Sequence, residues 1–199
     1  MSPTHGLAVL AKRPLPGRVK TRLSPPFSPQ QAASLAGAAL HDTLAAVSAA
    51  DVTHRLLVFD GDPTDWRPAG WEHVVQASGG LDRRIAAALK VGERPTVVVG
   101  MDTPQLTPEQ LAEPDLERFD ACLGPASDGG YWAIGLARPE LAASAVHRVP
   151  MSMPDTGERQ LHRLRALGLR VQLLAELTDV DTAEAAATVA AAAPHTRFA

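Results

Sequence analysis

A chain of 199 residues, 45% apolar and 21% charged, is long enough to bury one complete core and has no bias toward disorder, collagen or fibre. Its formal charge of −3 excludes broad nucleic-acid binding through a basic surface, so any cationic site has to be local. A single cysteine excludes a disulfide framework, and no stretch approaches the ~20 apolar residues that a membrane span needs.

The start, Met1-Ser2-Pro3-Thr4-His5, has no charged segment leading into an apolar one, so the expectation is a cytoplasmic protein with no membrane partner. Gly6-Leu7-Ala8-Val9-Leu10-Ala11 is a short apolar run closed by charge and proline, the pattern of a strand buried on both faces. Ser28-Pro29 then supplies a cap and a first-turn proline. Leu35, Ala39, Leu40, Leu44 and Val47 continue at helical spacing to about Ala50. A second strand is predicted at His54–Phe59, stopped by Asp60-Gly61-Asp62-Pro63, and a short third at Val74-Val75-Gln76. Leu81 to Val91 is a one-sided helix ending at Gly92. Pro95–Gly100 is the most apolar, β-branched run and belongs at the sheet centre. Thr107-Pro108 opens a short helix. Strands are predicted at Phe119–Leu123, where Cys122 fits as a buried structural thiol, at Tyr131–Leu136, and near Arg170–Leu174. Helices are predicted at about Pro139–Ser144, Thr156–Leu167 and Thr182–Ala192.

This alternation predicts an α/β protein with a mostly parallel central sheet and helices on both faces. No linker or composition shift divides it, so residues 1–199 form a single domain. Ligands of such sheets sit outside the carboxyl ends of the strands, which directs attention to the loops after Ala11, Gly100 and Leu123.

The first of these loops, Ala11 to Leu23, carries five cations: Lys12, Arg13, Arg18, Lys20 and Arg22. Pro14 and Pro16 stiffen it, Gly17 permits close backbone approach, and its lysines and arginines can neutralise phosphate oxygens. A solvated charged loop is the competing explanation; the position at the binding edge favours a polyphosphate site. Neither a Walker A motif nor a dinucleotide fingerprint is present. Asp102, in Gly100-Met101-Asp102-Thr103-Pro104, follows the most apolar strand and offers a carboxylate to a hard cation, or a cap to the next helix. Asp128, in Ser127-Asp128-Gly129-Gly130, is a second candidate metal carboxylate, although this run is also good hairpin chemistry. In Thr178-Asp179-Val180-Asp181-Thr182-Ala183-Glu184, either Asp181 or Thr182 fits as an N-cap, with Asp179 as a candidate site residue. The histidines have no zinc-type spacing, and no Gly-x-Ser-x-Gly elbow supplies a nucleophile. Trp66, Trp71 and Trp132 are expected to pack rather than stack on bases.

Taken in order, Ala11–Leu23, Gly100–Pro104, Gly124–Tyr131 and Asp179–Thr182 resemble the motifs of a bacterial glycosyltransferase-A-like transferase family. That family is labelled rSAM/selenodomain-associated transferase 1, and some members are labelled arsenosugar-biosynthesis glycosyltransferases. More distantly, Lys20-Thr21-Arg22-Leu23 and the following helix are similar to phospholactate guanylyltransferases and molybdenum-cofactor nucleotidyltransferases. The resemblance implies a nucleotide-diphospho-sugar transferase (GT-A-like) fold, with a nucleotide on the first-strand loop and a divalent cation, Mg²⁺ or Mn²⁺, near Asp102. One departure stands out: the family tends to a Trp-Ser-Thr-like stretch where this chain has Met151-Ser152-Met153.

The expected assignment is therefore as follows. Ala11, Lys12, Pro16, Gly17, Arg18, Lys20, Thr21 and Arg22 bind the nucleotide. Asp102 and Asp128 hold the metal, Lys20, Asp102 and Arg22 are catalytic, and Ser127, Gly129, Gly130 and Tyr131 face the acceptor. The partners are a nucleoside triphosphate or a nucleotide sugar and a small-molecule acceptor, with no nucleic acid and the protein a monomer or homodimer. Nucleotidyl transfer to a small anionic acceptor with release of pyrophosphate is the leading expectation. Glycosyl transfer from a nucleotide sugar and non-catalytic nucleotide binding are the alternatives.

Overall fold

A computed structural model describes residues 4–199; the Met1-Ser2-Pro3 start considered above lies outside them. The described residues form seven strands: β1 (Gly6–Lys12), β2 (Arg55–Asp60), β3 (Glu72–Val75), β4 (Thr96–Val99), β5 (Ala121–Pro125), β6 (Tyr131–Leu136) and β7 (Val171–Leu173). The α-helices are α1 (Pro29–Ala49), α2 (Leu81–Lys90), α3 (Pro108–Ala112), α4 (Ala142–Val146), α5 (Thr156–Ala166) and α6 (Ala183–Ala192).

The strands make one sheet in the order β3-β2-β1-β4-β6-β5-β7, which puts β4, the Val-rich run, in the middle position. All neighbours pair in parallel except β6, which runs antiparallel to both β4 and β5. The reversal has a functional consequence. The carboxyl ends of β1, β4 and β5 and the amino end of β6 all meet at one edge.

Period-two alternation explains the two cores. Leu7, Val9, Leu57, Phe59, Val97 and Val99 face one side, where α1 packs. Ala8, Leu56, Val58 and Val98 face the other, against α2 and α4. Because both faces are covered, β1 is buried along nearly its whole length and shows no polar alternation. A third cluster, containing Leu23, Ala32, Ala39, Val180, Ala186, Val189 and Phe198, joins the first-strand loop to α1 and α6.

The start of α1 is a full capping box: Gln31 N donates to Ser28 Oγ at 3.3 Å and Ser28 N to Gln31 Oε1 at 2.8 Å. Thr107 and Gln110 repeat it at α3. Several predicted bounds shift, among them the third strand, which is Glu72–Val75 rather than Val74–Gln76. The segment from Pro139 begins as a 3₁₀ turn, Pro139–Leu141, before α4. β5 starts at Ala121 rather than Phe119, because Asp120 Oδ2 accepts from Arg170 N (2.9 Å) and pins the entry to the strand. Cys122 is fully buried, and desolvation pushes its thiol up to about 12, as an inert core residue requires. Trp132 and Trp71 are buried, while Trp66 stacks at 4.8 Å on the His41 ring.

Candidate active site

A cavity of about 450 Å³ opens at the carboxyl edge of the sheet, over the ends of β1 and β4 and the start of β6. Its polar side carries Lys12, Lys20, Arg22, Asp102, Asp128, Asp179 and Asp181. Leu10, Ile85, Val98, Ile134, Tyr131 and Met151 line the apolar side.

Local sequence explains how Lys20 reaches this place. Leu15-Pro16-Gly17-Arg18 is a turn closed by Arg18 N donating to Leu15 O (3.0 Å), with Gly17 at φ 73°, the conformation glycine adopts at no steric cost. The chain then buries Val19 in the main core and, after a 3₁₀ turn (Thr21–Leu23), Leu23 in the third cluster. Lys20 lies between these two apolar pins with a left-handed backbone (φ 48°) and a side chain only 6% exposed. The same device operates at the other end of the chain. Val180 is buried in that third cluster and donates its N–H to Asp102 O at 3.0 Å, which positions the acids flanking it, Asp179 and Asp181.

The result is a carboxylate pair held by one ammonium. Lys20 Nζ lies 3.0 Å from Asp102 Oδ1 and 2.8 Å from Asp181 Oδ1, and Arg22 Nη1 reaches the second Asp181 oxygen at 3.4 Å. Burial alone works against the charged lysine, but the attraction of Asp102 and Asp181 outweighs it and holds its pKa above the ordinary value. Burial likewise pushes Asp181 up, and the charge and hydrogen bond of Lys20 overcome that and hold it below the usual carboxylate range. Asp179 has no such partner. Burial first, then the charges of Asp102 and Asp128, push it up to about 7, and its Oδ1 is buried without a hydrogen bond.

The other expected residues are placed as follows. Ala11, Lys12, Thr21, Gly130 and Tyr131 line the cavity with Lys20 and Arg22. Pro16, Gly17 and Arg18 form the exposed outer arc of the loop and are absent from the lining. Asp128 borders the cavity from the β5–β6 hairpin, where its Oδ1 accepts from Gly130 N at 2.8 Å, so the turn and the site share this residue. Ser127 is tied by its N–H to Leu177 O (2.9 Å), outside the lining. Gly129 supports α5 instead: its carbonyl accepts from Gly157 N at 2.8 Å. Tyr131 Oη lies 3.7 Å from Met151 Sδ, and burial pushes the phenol well above its ordinary pKa.

Three features were not foreseen. Asp181 is an ion-pair residue, and the cap of α6 is Thr182, whose Oγ1 accepts from Ala185 N at 3.2 Å. Gln76 Nε2 donates to Ala11 O at 2.6 Å and its Oε1 accepts from Arg84 Nη1 at 3.0 Å, so the β3–α2 segment braces the end of β1. Met151, Ser152, Met153 and Thr156 form one wall, with Thr156 Oγ1 donating to Pro150 O (2.9 Å) and accepting from Met153 N (3.0 Å). The departure at Met151–Met153 therefore lies on the cavity itself. The Asp179–Thr182 motif was the available signal for Asp181; Gln76 and Arg84 have none in local sequence.

This donor set suits a hard cation. Among the described residues no three His, Cys, Asp or Glu side chains converge as a closed metal cage. Mg²⁺ needs only one or two carboxylates and completes its shell with water and substrate phosphates, which the Asp102–Asp181 pair and the orphaned Asp179 oxygen fit.

Sheet order, crossing pattern and the position of the cavity define the nucleotide-diphospho-sugar transferase class of fold. Within that class, the chain belongs to the bacterial family described as "uncharacterized protein conserved in bacteria (DUF2064)", whose model matches residues 35–153. The matched span includes Asp102 and Asp128 and leaves out both Lys20 and Asp181. A crystal structure from Desulfovibrio desulfuricans G20, provisionally named a nucleotide-diphospho-sugar transferase, superposes with a TM-score of 0.79 at 28% identity. The match covers 92% of this chain and 84% of that one. CMP:2-keto-3-deoxy-manno-octonic acid synthetase in complex with CTP matches with a TM-score of 0.55 at 14% identity, over 96% and 98% of the two chains. Rv0371C from Mycobacterium tuberculosis H37Rv in complex with manganese matches with a TM-score of 0.57 at 19% identity, over 94% and 98%. At these last two identities the likeness is one of fold. No curated protein matches the chain.

Proposed function

We propose that this protein is a metal-dependent, nucleotide-using transferase that moves a nucleotidyl group from a nucleoside triphosphate to a small anionic acceptor and releases pyrophosphate. The observation that carries this reading is the meeting of Lys20 with Asp102 and Asp181 at the edge of the sheet, beside the loop that also presents Lys12 and Arg22. A synthetase of the same fold binds CTP and another protein of that fold binds manganese, which supports both halves of the proposal.

Each residue has a task in such a reaction. Lys12, Lys20 and Arg22 bind phosphate oxygens and stabilise the charge that grows on departing pyrophosphate. Asp102 and Asp181 would hold the cation in place of the expected Asp102–Asp128 pair, because Asp128 already accepts from Gly130 N in its own turn, and Asp179 offers an unpartnered oxygen beside them. The cation, when bound, screens the phosphate charge and orients the α-phosphorus for in-line attack. Met151–Met153 and Tyr131 border the side left to the acceptor. In-line attack by the acceptor requires no protein nucleophile.

A second reading, glycosyl transfer from a nucleotide sugar, is favoured by the name given to the Desulfovibrio protein. A thermal-shift panel separates the two. Nucleoside triphosphates and nucleotide sugars are each added with Mg²⁺ or Mn²⁺, and a ligand at 100 times its Kd stabilises by about 2.7 kcal/mol. Stabilisation by a triphosphate, followed by pyrophosphate release with an anionic acceptor, is the expected result. Stabilisation by nucleotide sugars alone refutes nucleotidyl transfer.

A further inference from the structure

We propose that Lys20 is a resident competitor for the divalent cation: its ammonium holds the Asp102–Asp181 pair, so the pair binds metal tightly only once a diphosphate draws the lysine away. The inference rests on the metal reading above and adds an order of binding to it.

The geometry leaves little choice. Nζ stands within hydrogen-bond distance of both carboxylates, 3.0 Å and 2.8 Å, and the side chain is 6% exposed. A divalent cation held by those two oxygens needs the same lone pairs that the ammonium now uses, so lysine and cation are alternative counter-ions for one pair. The lysine is not loosely placed: Val19 and Leu23 pin the backbone on either side of it. Moving Nζ away therefore removes a buried charge from its partners, which is unfavourable unless new oxygens receive it. The phosphates of a nucleotide supply those oxygens, in the cavity that Lys12 and Arg22 also line. Metal and diphosphate then bind as one ligand, each raising the affinity for the other.

The test needs no acceptor and no turnover. Mn²⁺ binding to the full chain is measured without nucleotide, by the electron paramagnetic resonance of the free ion, for wild type, Lys20→Met and Lys20→Gln. Removing the competitor is expected to tighten the Mn²⁺ Kd by about tenfold or more, the factor by which a competent fraction of a tenth or less weakens apparent affinity. The gain is expected to vanish in the Lys20→Met/Asp102→Asn double variant, and Lys20→Gln serves if Lys20→Met fails to fold. Equal or weaker Mn²⁺ binding by both Lys20 variants overturns the proposal and leaves the metal reading standing. No Mn²⁺ bound by wild type or variants, with or without a nucleoside triphosphate, overturns both.

Discussion

Lys20 Nζ donates to Asp181 Oδ1 across 2.8 Å although 161 positions separate the two residues. Their neighbours Leu23 and Val180 share one apolar cluster, so the ion pair is positioned by hydrophobic packing rather than by its own attraction. The attraction within a buried pair is largely offset by the desolvation of its charges, so it is a poor device for ordering two loops by itself. Burial of the pins sets the geometry, and the charges occupy the place that results.

Asp102→Asn keeps the shape of the side chain and removes its charge. Lys20 retains Asp181, so the melting temperature is expected to stay within a few degrees of wild type. Pyrophosphate release, assayed with the triphosphate found by thermal shift, is expected to fall by at least about 10²–10³-fold, the scale of losing one preorganised electrostatic group. Unchanged turnover would remove Asp102 from the chemistry.

Thr182 and Asp181 are adjacent but carry different loads, and substitution separates them. Thr182→Ala removes the cap of α6 and is expected to cost about 1 kcal/mol of stability, with nucleotide affinity unchanged. Asp181→Asn leaves the cap in place and weakens metal-dependent nucleotide binding. Denaturant unfolding and ligand titration of the two variants check the pair.

Gly129 has φ 87°, and a β-carbon there would lie 1.7 Å from Pro154 O. Backbone has to move to accept it, which also disturbs the Gly157–Gly129 hydrogen bond that seats α5 on the hairpin. Gly129→Ala is expected to destabilise by about 2–4 kcal/mol through strain and overpacking. Thermal denaturation measures it, and a loss under 1 kcal/mol, the ordinary scale of a surface change, would contradict this packing.

His5 lies far from the cavity and makes stability depend on pH. Its ring is buried, Nε2 is 3.0 Å from Leu111 O, and Nδ1 has no partner. Desolvation dominates and lowers its pKa below 6.5 despite the opposing carbonyl contacts. The unfolded chain therefore takes up a proton that the folded one resists. The stability contribution is full above pH 6.5 and is lost as pH falls from there toward the folded pKa, with a slope of up to about 1.4 kcal/mol per unit. Urea unfolding between pH 8 and 5 should show the slope in wild type and a flatter one in His5→Gln, which keeps a donor for Leu111 O.

Most of the fold was legible locally. The apolar runs of β1 and β4, the Ser28-Pro29 start of α1 and the turn residues around Asp128-Gly129-Gly130 each specify their own backbone state. The site was legible in part. Lys20, Arg22 and Asp102 stand where the strand-edge rule places them, because a loop that leaves a buried parallel strand emerges at that edge. Asp181 was legible only as a possible cap, because caps and ion-pair partners use the same residue types before a helix, and its 2.8 Å contact with Lys20 is a tertiary one.

What the sequence determines by itself is the alternation of elements, the sheet edge at which the first-strand loop emerges and the charge brought there, since these follow from propensity, pattern and chain order. Only the tertiary structure decided that Arg18 points outward while Lys20 points in, that Lys20 pairs with both Asp102 and Asp181, and that Gln76 and Arg84 brace the first strand. Those outcomes depend on contacts between segments tens to more than a hundred residues apart. They are fixed by which apolar side chains share a core, and no local pattern records that.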